Sequence, residues 1–187
     1  MRKMKHSPVL PASATQVPPA SLLAERVRDG CYADTFTTTV PQSVDLAALI
    51  EAFYTTRLFK AERLVLHLLA WRPSTDDEAH ALATGARDRF AAWRVTARRS
   101  DEILLTDETG RTSSWLMVRP EPPEAGTARA TTRLFFGSAI RPRRMDADGR
   151  PRLGPLFHAL LGAHEFYSRR LLQAAASRLM RRPWPGA

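Results

Sequence analysis

The stretch Glu102-Ile103-Leu104-Leu105-Thr106-Asp107, Glu108-Thr109-Gly110, Thr112-Ser113-Ser114-Trp115-Leu116-Met117-Val118-Arg119 decides the fold. Two short β-like runs flank a polar, glycine-bearing turn, which is hairpin chemistry and makes the runs antiparallel neighbours. The same alternation extends both ways. Residues 88–99, with Phe90, Trp93 and Val95, precede the turn Arg99-Ser100-Asp101, and residues 129–140 follow the breaker segment Pro120 to Gly126. Four consecutive runs with tight connections predict an antiparallel meander.

Outward from the meander the period changes. Leu156, Phe157, Leu160, Leu161, His164, Tyr167, Leu171, Ala175 and Leu179 fall on one face of a helix, about 25 residues long at this spacing, that begins after Gly154-Pro155. Upstream, residues 31–40 are rich in β-branched and aromatic types, with Tyr32, Phe36 and Val40 at even spacing, and read as a first strand. Ser43 is an N-cap candidate with Asp45 in the first turn, and Leu46, Leu49, Ile50 and Phe53 recur at helical spacing. A second helix is expected over 60–70, and a third after Ser74 or Thr75, with Asp77 and Glu78 in its first turn and an end near Gly85. Strand, helices, meander and a long last helix make an α+β order. A sheet covered by one long helix curves around it, and a cavity lined by aromatic and aliphatic side chains is expected between them.

Length and composition bound the rest. At 187 residues the chain suits one domain, expected over 29–181, between a proline-bearing disordered tail over 1–28 and a frayed end over 182–187. Lys3 and Lys5 resemble the start of an export signal, but Pro8 and Pro11 break the apolar segment that export needs. No apolar run approaches the length of a membrane-spanning helix, and mean hydropathy is −0.30. The single cysteine, Cys31, cannot close an internal disulfide, which fits a reducing, cytoplasmic setting. The net charge is +9, and only Lys3, Lys5 and Lys60 are lysines. Residues 1–128 carry sixteen charges of each sign, whereas residues 129–187 carry twelve basic and three acidic. Coding bias is one origin of the arginine excess. A face for nucleic acid or an anionic membrane is the other, using Arg141, Arg143, Arg144, Arg150, Arg152, Arg169, Arg170, Arg178, Arg181 and Arg182.

The element order over roughly 30–180 resembles the START-like (SRPBCC, helix-grip) superfamily of polyketide cyclases, lipid-transfer domains and birch-pollen-allergen-like proteins. More narrowly, Tyr32-Ala33-Asp34-Thr35-Phe36, Phe90-Ala91-Ala92-Trp93-Arg94-Val95, Asp101-Glu102-Ile103-Leu104, Gly126-Thr127, Phe136-Gly137-Ser138 and His164-Glu165-Phe166-Tyr167-Ser168-Arg169 look like a bacterial START-like domain of unknown function. The resemblance implies a curved antiparallel sheet wrapped on the C-terminal helix and apolar-ligand binding between them, with no universal catalytic residue to carry over. The helical segment before the meander replaces a strand pair of fuller members, so a smaller sheet and a shallower pocket are expected.

Candidate pocket residues are Tyr32, Phe36, Trp93, Trp115, Met117, Phe136, Phe157, Leu160, Leu161, His164 and Tyr167. Core packing explains the aromatic ones equally well. His164 and Tyr167 can orient a ligand carbonyl or move a proton, or His164 can be a structural histidine bonded to the sheet or to water. Asp34, on the face of Tyr32 and Phe36, must be paired or functional, with Arg94 and Arg133 as expected partners. His158 and Glu165 are expected on the helix flank. No Gly-rich phosphate loop, metal-ligand spacing or nucleophile elbow is present, Cys31 reads as a small buried residue, and no cofactor is implied. Three functions remain open: binding of a small hydrophobic molecule (lipid, polyketide or aromatic-like), a cyclase or dehydratase using Asp34, His164 and Tyr167, and an arginine-rich electrostatic binder.

Overall fold

The computed structural model describes residues 9–57, 59, 75–122, 130–142, 144–145, 151–152 and 155–181, with side chains from residue 162 in the last helix. The chain is α+β, with a seven-stranded antiparallel sheet in the order β1-β2-β7-β6-β5-β4-β3. The strands are β1 (Ser13–Ala14), β2 (Tyr32–Val40), β3 (Arg89–Phe90), β4 (Trp93–Arg98), β5 (Glu102–Asp107), β6 (Thr112–Glu121) and β7 (Thr131–Ile140). A separate pair, β8 (Arg144–Met145) and β9 (Pro151–Arg152), precedes the last helix. The helices are α1 (Leu22–Arg28), α2 (Leu46–Tyr54), α3 (Asp76–Thr84) and α4 (Pro155–Arg181). The meander emerges as expected, and the run over 88–99 divides into β3 and β4 around a turn at Ala91. The sheet is wider than expected because two-residue strands extend both of its edges. The helix expected over 60–70 lies outside the described residues.

Local chemistry sets the helix ends. Asp45, rather than Ser43, caps α2, its carboxylate accepting from Ala48 N at 2.7 Å. Thr75 and Glu78 form a reciprocal capping box on α3, which stops at Gly85 in the left-handed region. Arg98 from β4 then donates to the Leu82 and Ala83 carbonyls at 2.5 and 3.2 Å, adding to the Gly85 N–H that already reaches Leu82 O at 3.2 Å.

One face of the sheet carries the main core. Phe36, Val40, Ile103, Leu105, Leu116, Val118, Leu134 and Phe136 meet α2, α3 and the C-terminal half of α4, from which Leu171, Leu172, Ala175, Ala176 and Leu179 are buried. Phe53, Tyr54, Phe59 and Phe90 add an aromatic cluster, with Phe53 and Phe136 at a 4.7 Å centroid distance.

The other face carries a second, smaller core. There Leu22 and Leu23 of α1 cover Cys31, Leu104, Trp115, Met117, Phe135 and Ala139. This corrects the expectation of a disordered tail over 1–28: from residue 9 the segment is tied down. Thr38 Oγ1 donates to Leu10 O at 2.6 Å, Ala12 N donates to Gln173 of α4 at 2.8 Å, and Ser21 caps α1. The prolines at 11, 18 and 19 lie outside the β1–β2 pairing, where a missing N–H costs nothing.

Candidate functional site

Strand register builds a polar row beside an apolar one. Phe36, Phe136 and Leu116 stand opposite one another on β2, β7 and β6; one step along, Asp34, Ser138 and Ser114 do the same on the same face. The polar row faces α4, where His164 lies one turn before Ser168, the first buried residue of the helix's packed half.

Asp34 is 10% exposed and His164 37%. A carboxylate so buried costs several kcal/mol unless its lone pairs are satisfied. Asp34 Oδ1 accepts from Ser138 N at 3.1 Å and from Ser138 Oγ at 2.7 Å, whereas Oδ2, 3.0 Å from His164 Nε2, is buried without a hydrogen bond. Nε2 also lies 3.0 Å from Ser138 Oγ. Because the serine hydroxyl gives its hydrogen to Asp34, it is the acceptor towards His164, so Nε2 carries the proton in this arrangement.

Serine, histidine and aspartate together suggest a nucleophile triad, but the connectivity is wrong for one. A triad needs the serine proton on the histidine and the aspartate at the other ring nitrogen. Here Asp34 and Ser138 both meet Nε2, and the serine proton is committed to the carboxylate. The cluster is built to hold a buried charge and to present a half-open imidazole. Tyr32, at the strand end beside it, has its phenol pKa raised by burial and by the charges of Asp34 and Glu165, so it stays protonated at neutral pH. Tyr167 is half-buried three residues beyond His164, and Arg169 lies 5.5 Å above the Phe36 ring.

Asp34 therefore has partners, but not the expected ones. Arg133 pairs with Glu121, and Arg94 is exposed on β4, beyond β7, β6 and β5. The expected pocket residues separate into groups. Tyr32, Asp34 and His164 gather at the polar row, whereas Tyr167 packs against the main core. Phe36 and Phe136 are buried in the main core beside it. Trp115 and Met117 lie on the opposite face, under α1, because they occupy odd positions on β6 while Ser114 and Leu116 occupy even ones. Trp93 belongs to the far edge of the sheet, where a cavity of about 610 Å³ opens between the β3–β4 and β5–β6 turns. The side chains of Phe157, Leu160 and Leu161 lie outside the described residues. The C-terminal half of α4 is packed against the sheet, so the space expected beneath the helix is filled there by side chains.

Ser138 was legible only as a strand residue; its role depends on pairing with a residue 104 positions away. Cys31 is buried, His80 Nδ1 meets Glu51 at 3.0 Å, and no metal-type cluster of His, Cys, Asp and Glu occurs among the described residues. No helix among them is long and apolar enough to cross a membrane. Of the C-terminal arginines, Arg141, Arg169, Arg170 and Arg181 are exposed, while the side chains of Arg143, Arg144, Arg150, Arg152 and Arg182 lie outside the described residues. No family model matches the chain, and neither a curated protein nor a solved structure matches it.

Proposed function

We propose that the chain is a helix-grip, START-like protein that binds a small, mainly apolar molecule carrying one polar group, between the first half of α4 and the ends of β2 and β7. The observation that carries this reading is the Asp34–Ser138–His164 cluster, a nearly buried carboxylate closed by a half-exposed imidazole on the helix. The polar group meets His164 and Tyr32, and the apolar body lies along the helix away from the filled core. An acid–base enzyme on the same cluster is the second reading, favoured by the 3.0 Å contact between Asp34 and His164.

A neutral fluorescent probe, N-phenyl-1-naphthylamine, displaced by fatty alcohols, phenols and quinones, tests the binding. His164→Leu is expected to weaken the tightest competitor about tenfold, the worth of one hydrogen bond to an ionisable group. Absence of probe binding, or equal affinity in the variant, overturns the proposal. Mass analysis of the recovered competitor separates the two readings, since an unchanged molecule after long incubation removes the enzyme.

A further inference from the structure

Helix α4 presents two sides of different chemistry. Leu171, Leu172, Ala175, Ala176 and Leu179 face the core, while Phe166, Arg170, Gln173, Ser177 and Arg181 recur at spacings of three and four on the opposite, outer side. Phe166 is 62% exposed, and the Arg170 guanidinium lies 5.1 Å from the centre of its ring. Leu10, 58% exposed, stands beside this row, because Ala12 two residues on donates its N–H to Gln173 at 2.8 Å. Two of the three large apolar side chains exposed among the described residues are thus on one side of the molecule; Val27, the third, is on α1 across the sheet.

The same side carries unmatched positive charge. Glu165 is the only acidic residue of α4, and it lies 3.5 Å from Arg169 on the helix flank; Arg170, Arg178 and Arg181 have no acidic partner among the described residues. The chain's arginine excess does not produce such a face everywhere: α3 opens on Asp76, Asp77 and Glu78, and α1 mixes Glu25 with Arg26 and Arg28. The negative end of the helix dipole accounts for Arg178 and Arg181 in the last turn. It does not account for Arg170, about three turns before the helix end, or for the phenylalanine left in water beside it. A convex helix side offers no groove for a nucleic-acid strand to follow, and two separated apolar side chains fall short of the close-packed centre of a protein interface. A bilayer needs neither, since its headgroup layer closes around isolated apolar side chains while its phosphates meet the flanking guanidiniums.

We propose that the outer side of α4 docks on an anionic phospholipid surface, with Phe166 and Leu10 entering the headgroup layer and Arg170, Arg178 and Arg181 on lipid phosphates. This surface is turned away from the Asp34 cluster and does not depend on the ligand proposed there.

Co-sedimentation of the full chain with vesicles of phosphatidylglycerol and phosphatidylcholine in equal parts, against pure phosphatidylcholine, tests the assignment. Each guanidinium near an anionic surface is worth about fivefold in affinity, so the mixed vesicles are expected to bind about a hundredfold more tightly than the neutral ones. Added salt should erase that difference. Arg170→Gln and Arg181→Gln should each weaken binding to the mixed vesicles about fivefold, and Phe166→Ser should do so by about fivefold as well. A solvatochromic dye on Phe166→Cys should shift to the blue on the mixed vesicles, whereas the same dye on Val27→Cys should not; Cys31, being buried, stays unlabelled. No binding, equal binding to the two vesicle types, undiminished binding in the variants, or equal dye shifts at the two positions overturn the proposal. So does tighter binding of polyuridylate than of the mixed vesicles, which assigns the face to nucleic acid.

Discussion

Gly137 sits between the two faces of the sheet and couples them. A Cβ there would lie 2.6 Å from Leu23 Cδ2 on one side and 2.7 Å from the Asp34 carbonyl oxygen. Leu23 is fully buried and the other atom is backbone, so neither gives way easily. Gly137→Ala is therefore expected to cost about 2 kcal/mol or more by overpacking, and to displace Asp34 from Ser138. Gly162, itself exposed on α4, has nothing within 4 Å of an added Cβ. Gly162→Ala should raise stability by about 0.5–1 kcal/mol, the helix penalty of glycine. Urea denaturation of the two variants checks the opposite signs; equal effects would mean that crowding at Gly137 is not what matters. The sequence offered the motif Phe136-Gly137-Ser138 but no reason for its glycine, because the atoms that forbid a side chain come from residues more than a hundred positions earlier. Asp34 was readable as a carboxylate needing a partner for the same local reason that its partner was not: the requirement lies in one strand, its satisfaction in another.

Elements whose signals are local were readable, and those stabilised from a distance were not. The boundaries of β5 follow from its apolar run and its turns, and α3 follows from the Thr75–Glu78 box and Gly85. By contrast, α1 has seven residues, too few to be stable alone, and is held by Glu102 of β5, whose carboxylate accepts from Leu22 N at 2.8 Å and Trp115 Nε1 at 2.7 Å. The β5–β6 hairpin shows how a turn adds to this scale and yields a pH test. Burial disfavours the charge on Asp107, but hydrogen bonds from Thr109 and from the amides of Thr112, Arg111 and Gly110 together outweigh it and lower its pKa. A lowered native value means that the unfolded chain takes up the proton first on acidification. The contribution is therefore complete above about pH 4, the ordinary carboxylate value, and is lost as pH falls through the native pKa. Asp107→Asn should cost about 1 kcal/mol at pH 7, and the gap from the parent should close towards pH 3. A gap independent of pH would assign the turn's stability to shape rather than charge.

At the scale of the molecule the seven-stranded sheet carries a core on each of its faces. Length pointed to one domain, and composition counts apolar residues without saying on which face of a strand they fall. Alternation along β6 divides them, sending Leu116 and Val118 to the helices α2 to α4, and Trp115 and Met117 to α1. The N-terminal segment is thus structural, and the polar row containing Asp34 keeps its place because β2 is held by β1 on one side and β7 on the other. Removing residues up to 28 should uncover Trp115, now fully buried, and take from Glu102 the Leu22 amide. Burial of two leucines at about 1.5–3 kcal/mol each, with one hydrogen bond to a carboxylate at about 1.5–3 kcal/mol, approaches the whole stability of an ordinary domain. The shortened chain is expected to show red-shifted tryptophan emission and no cooperative melting. The milder Leu23→Ala should still melt cooperatively while losing about 2–5 kcal/mol, with Trp115 emission shifting before the main core unfolds. If instead the shortened chain melts at the parent's temperature with its tryptophan emission unchanged, the second core contributes nothing, and the sheet is held by the helical side alone.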